Sequence, residues 1–316
     1  FVGCSEKQDD TKTPSDKTDD KTSKSEELKF GLGIENGYGK SASADGETNG
    51  STEVNATAAA VLLDKDGKIV KCVIDVAQNK ALYTSEGKAV ANEDFRTKGE
   101  KGADYGMAAH GSDRNGDGVV KEWDEQRDAF ISKVEGKTFD EVKAMVVDGY
   151  GNDDLVTAGC TMAISDFVSA LEKAVANAVA SKATAENTLQ LGSVTTQSLK
   201  DATEEKDGTN EIDSTFTAAV LDKDGKVVIA STDTLQAKIT FDTAGACTTD
   251  TAAALKTKKE LGADYGMAAH GSDRNGDGEV KEWDAQAAAF DAALTGLNAD
   301  EIVALESEGY GVESIQ

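Results

Sequence analysis

The run Asp113-Arg114-Asn115-Gly116-Asp117-Gly118-Val119-Val120-Lys121-Glu122-Trp123-Asp124 carries side-chain oxygens at its first, third, fifth and twelfth positions. A second run places Asp273, Asn275, Asp277, Glu279 and Asp284 at the corresponding places. Hard oxygens in this order suit calcium, which takes roughly six to eight oxygen ligands at ~2.3–2.6 Å. Asp113, Asn115 and Asp117 can turn their side chains into one cavity. Gly118 and Gly278 allow the sharp turn, and the main-chain carbonyls of Val119 and Glu279 add a further ligand. Asp124 and Asp284 close the shell, while Val120 and Val280 anchor each loop to the core. Two Ca2+ sites are expected, and their role is expected to be structural. Outside the cell, affinities of ~10⁻⁴–10⁻³ M suffice for such a role. The entering segment Tyr-Gly-Met-Ala-Ala-His-Gly-Ser is broken by glycine, which argues against a sensor that opens a helix pair.

Other chemistry finds less support. His110 and His270 are the only histidines, each three residues ahead of a loop. Their oxygen-rich neighbours do not suit zinc, so hydrogen bonding to the loop backbone is the expected role. Trp123 and Trp283, the only tryptophans, are expected to pack in the core or at an interface. No Gly-x-Ser-x-Gly elbow, dinucleotide-binding glycine motif or P-loop occurs, and neither His has a nearby Ser or Cys suggesting a triad. An enzyme is therefore not expected, and no catalytic residue is assigned. Cys72, Cys160 and Cys247 lack metal-site spacing; one disulfide with a leftover thiol and three free thiols both stay open.

The segments that position the loops recur. Residues 102–124 return at 262–284 with one difference, 59–70 match 217–228, and 136–151 match 296–311 more weakly. The body thus reads as two copies of one module, 29–187 and 188–316. In each copy apolar runs flank Asp-Lys-Asp-Gly, the mark of a hairpin in which Gly67 or Gly225 takes positive φ. Trp123, Arg127, Phe130 and Ile131 share one face of a helix, and the Ala-rich counterpart in copy two is a strong helix former. Copy one alone continues into an amphipathic helix over about 160–180. The expected class is α+β, each module an antiparallel sheet with packed helices and a calcium loop.

The chain carries a net charge of −26 and is 38% hydrophobic. The acid excess repels phosphate backbones, so nucleic acid is not an expected partner. No apolar run approaches the ~18–20 residues of a transmembrane helix. Phe1-Val2-Gly3-Cys4-Ser5 looks like the end of a bacterial lipoprotein signal, with Cys4 the lipidated residue. Residues 5–28 hold eight acids and five lysines, with no aliphatic or aromatic side chain before Leu28. Residues 1–28 therefore read as a signal remnant and a disordered tether. The expectation is a membrane-anchored, extracytoplasmic surface protein.

The loops resemble EF-hand-like calcium loops, and Asp at the last position resembles the dockerin form. The stretch Ala59–Val76, then Gln78, then a Thr-rich segment leading into an amphipathic helix, resembles the FMN-binding domain of membrane redox complexes and flavinylated surface lipoproteins. The resemblance covers roughly 55–180, and 213–295 less closely. It implies a related fold and, through the stretch from Asp154 to Thr161, Thr161 as the residue that would carry FMN. The Tyr-Gly-Met…Lys-Glu-Trp…Gln segment also looks like one shared by a group of gut bacterial lipoproteins, which implies no activity. The expected function is a non-catalytic binding or surface lipoprotein with an unknown protein or small-molecule ligand. Alternatives are a flavin-carrying electron-transfer protein and a small-ligand-binding lipoprotein that uses the cleft between modules.

Overall fold

A computed structural model describes residues 26–274, 276–307 and 310–311. Cys4, most of the tether and Asn275 lie outside the described residues. The first half runs β1 (Lys29–Ala42), β2 (Gly50–Leu63), β3 (Ile69–Tyr83), β4 (Ala89–Val90), α1 (Lys98–Lys101), α2 (Met107–His110), α3 (Trp123–Val134) and α4 (Phe139–Lys143). It continues with β5 (Val146–Val147), β6 (Tyr150–Gly151), α5 (Asp153–Ala158), α6 (Ser165–Ala176) and β7 (Val179–Ala180). The second half runs β8 (Thr188–Lys200), β9 (Gly208–Leu221), β10 (Val227–Phe241), α7 (Lys258–Leu261), α8 (Met267–His270), α9 (Trp283–Leu294), α10 (Ala299–Val303), β11 (Glu306–Ser307) and β12 (Tyr310–Gly311). The class is α+β with antiparallel sheets, as expected.

Both Asp-Lys-Asp-Gly hairpins form. Gly67 and Gly225 sit at φ 76° and 74°. Asp64 and Asp222 close the turns by accepting from the amides two and four residues on, at 2.8–2.9 Å. The expected helix near 160–180 is shorter, Ser165–Ala176, because the amides of Thr161 and Met162 bond instead to the Gln126 side chain.

One sheet is ordered β4-β3-β2-β1-β7 and the other β10-β9-β8. They lie face to face and share one core, in which Phe30, Leu62 and Tyr83 meet Phe216, Leu235 and Phe241. Tyr83 and Phe241 stack across the interface with centroids 4.9 Å apart. Each also covers the glycine opposite it on its own sheet, Gly50 or Gly208, where a Cβ would strike the ring. In β2 the even positions from Val54 to Leu62 join this shared core. The odd positions Ala59, Val61 and Leu63 face a second cluster built from α3, α4 and α6. That two-sided burial explains the unbroken apolar run Ala58–Leu63, since a strand covered on both faces has no need to alternate. α6 lies close on β1 because Gly31 and Gly33 leave room; a Cβ on either would strike the Ala174 backbone. α9 covers β10 through a small cluster of Val227, Ala230 and Leu294. The layer order is helices, sheet, sheet, helix.

Candidate functional site

The first loop is already curled. Asp113 accepts from the amides of Gly116 and Gly118 at 2.8 and 2.9 Å, and Asp117 accepts from Val119 at 2.8 Å. Asn115 donates to Asp117 at 2.8 Å. In the second loop Asp273 accepts from Gly276 and Gly278, and Asp277 from Glu279, at 2.8–2.9 Å. Gly116 and Gly118 stand at φ 71° and 80°, so only glycine sits there without strain. Two acids reach outward from the loop ends. Glu122 and Glu282 accept from the amides of Met107 and Met267 at 2.9 Å, tying the exit of each loop to the short helix before it. Lys121 folds its side chain over Gly159. The donor set is all oxygen, and Asp124 Oδ1 is buried without a hydrogen-bond partner. Asp124 Oδ2 lies beside Gly102, whereas Asp284 Oδ1 accepts from Ala285 at 2.9 Å. Among the described residues, no three His, Cys, Asp or Glu side chains gather as a metal-holding group. Asp113, Asn115 and Asp117 carry the hard oxygens that a cation such as calcium takes, but among the described residues the acids of the loop do not converge into one metal-holding group.

Gln126 is the residue the sequence did not single out. It is buried at 2% exposure. Its Nε2 donates to the Lys121 carbonyl at 2.9 Å and contacts Met107 Sδ at 3.3 Å. Its Oε1 accepts from the Thr161 and Met162 amides at 3.0 and 2.9 Å, and from the Thr161 hydroxyl at 3.3 Å. Thr161, the position a flavin would occupy by resemblance, is therefore 9% exposed with its hydroxyl engaged. Trp123 is buried edge-on to Phe167 at 5.8 Å, while His110 and His270 are exposed. Cys72, Cys160 and Cys247 are free thiols. Burial pushes Cys160 up to about 12 and Cys72 higher still. Burial also raises Cys247, but hydrogen bonds from Thr52 and Ser41 outweigh it and bring that thiol down.

A cleft of about 820 Å³ lies where the two halves meet. One wall is β1 with the end of α6; the other is the start of β10 with α7 and α9. Its apolar surface includes Leu32, Ile34, Val228 and Ile229. A cation spans the walls: Lys173 on α6 binds Glu35 at 3.0 Å and Glu260 on α7 at 2.8 Å. Deeper, Lys259 donates to Ser231 at 3.1 Å and to Asp291 Oδ2 at 3.4 Å, which also accepts from the Thr232 amide at 3.0 Å. Asp291 is 7% exposed, and its Oδ1 is buried without a partner. Asp233 lines the cleft too; burial raises its carboxyl, against hydrogen bonds from Thr257 and the Lys259 amide.

Among the described residues, no helix is long and apolar enough to cross a membrane. No protein-family model matches the chain, and no curated protein or solved structure matches it.

Proposed function

We propose that this chain is a lipid-anchored, extracytoplasmic binding protein that takes a small ligand into the cleft between its halves. The observation that carries the reading is the cleft of about 820 Å³, apolar over much of its wall and set with a few charged groups. Volumes of ~300–1,000 Å³ with that lining are typical of small-molecule sites. Saturable one-site binding of Nile red is expected. It should be lost in Ala292→Trp, which fills the mouth, while the unfolding midpoint stays in place. Wild-type protein that gives no saturable signal sinks the reading.

The calcium loops serve this frame and not the chemistry. Asp113, Asn115, Asp117, the Val119 carbonyl and Asp124 would hold one ion, with their counterparts holding a second. Bound calcium supplies charge neutralisation and a cross-link between loop and helix. Added Ca2+ should raise the melting temperature by mass action. Asp117→Ala with Asp277→Ala should remove that rise; a rise that persists would place the ion elsewhere. The anchor rests on Cys4 and the charged segment after it, and radiolabelled palmitate fed to the native host should enter the wild type and not Cys4→Ala.

A further inference from the structure

The two halves differ sharply at one place. Aligned through the hairpin and the loop, Val73, Gly99 and Ile131 of the first half correspond to Ser231, Lys259 and Asp291 of the second. Three positions that are apolar or bare in one copy have become a hydroxyl, an ammonium and a carboxylate in the other. Lys259 joins the other two: its Nζ reaches Ser231 Oγ at 3.1 Å and Asp291 Oδ2 at 3.4 Å. All three line the cleft. Folding does not require the polar set, because the first half builds the same elements without it. A buried charge with an unmet hydrogen bond is costly to keep, and Asp291 keeps one, its Oδ1 having no partner.

We infer that Asp291 is the recognition point of the cleft, and that the ligand is a small amphipathic amine whose ammonium bonds the Asp291 carboxylate while its apolar body lies along Leu32, Ile34, Val228 and Ile229. This rests on reading the cleft as a ligand site. An acceptor without a partner asks for a donor. An ammonium gives a charge-assisted bond, stronger than a hydroxyl would, and a carboxylate would meet repulsion. The charges around the cleft agree. Lys173, Lys182 and Lys259 line it together with Asp233, Glu260 and Asp291, and Glu35 adds a further acid on Lys173. The acids thus outnumber the lysines. At longer range, the net charge of −26 draws cations and repels anions.

The test compares octylamine, octanol and octanoate, equal in chain length and different in head group, by calorimetric titration of the calcium-loaded protein. Octylamine is expected to bind about tenfold tighter than octanol, and octanoate weakest. Asp291→Asn, nearly isosteric, should bring octylamine down to the octanol value and leave octanol unchanged. The triple variant Ser231→Val, Lys259→Gly, Asp291→Ile imports the first half's own solution to the same fold. It should still bind octanol and show no amine preference. If Nile red and octanol bind but the amine is not preferred, or Asp291→Asn leaves the preference intact, the amine assignment falls and the ligand cleft stands. If none of the probes binds, the cleft reading falls with it.

Discussion

Gln126 joins pieces of chain far apart in sequence: the end of the Asp113–Asp124 loop through the Lys121 carbonyl, and the approach to α6 through the Thr161 and Met162 amides. Removing it leaves those buried groups without partners, each costing about 1–3 kcal/mol. Gln126→Ala should therefore lower stability in urea titration by about 2 kcal/mol or more. Gln286 makes the matching bonds to Lys281 and Met267 but is exposed. Gln286→Ala should stay within about 0.5 kcal/mol, the usual range for a surface change. Equal losses at both sites would overturn this account. The pair was visible in the sequence only as a letter repeated in both copies, because a glutamine's partners are backbone groups, and backbone groups leave no residue signature.

At the scale of elements, the hairpins were readable locally. Asp-Lys-Asp-Gly specifies its turn, and Thr97 with Glu100 and Thr257 with Glu260 cap α1 and α7 as a reciprocal pair. The long strands β1 and β8 were not recognised. In β1, Phe30, Leu32 and Ile34 alternate with Gly31 and Gly33, a weak strand signal by propensity. The glycines are there for α6, whose backbone comes too near for any side chain. Gly33→Val should push α6 off the sheet and cost about 3 kcal/mol or more, since overpacking against backbone leaves little to yield. Gly37, in the same strand, would meet nothing within 4 Å. Gly37→Ala should be nearly neutral, and a comparable loss at Gly37 would mean that strand propensity and not helix clearance sets the requirement.

The whole molecule is organised around one core shared by both sheets. Phe30, Leu62 and Tyr83 are buried against the second sheet, so residues 26–187 produced alone should lose cooperative unfolding or associate through that bared face. Size-exclusion and urea titration of this fragment check it, and a monomer that unfolds at the midpoint of the full chain would contradict the shared core. Supplying 188–316 in trans should restore the monomeric pair. By itself the sequence determined the α+β class, the paired hairpins and the repeated loops, because turn residues and periodicity act over a few positions. Only the tertiary structure decided that the two copies lie sheet against sheet, that Thr161 is buried under Gln126, and that Lys173 bridges to Glu260 across a cleft holding Asp291. Those outcomes depend on which faces meet between segments well separated in sequence, 35 residues for Gln126 and Thr161 and more across the cleft. Nothing in a local pattern encodes that choice, which is set by the burial of apolar faces that neither half can complete by itself.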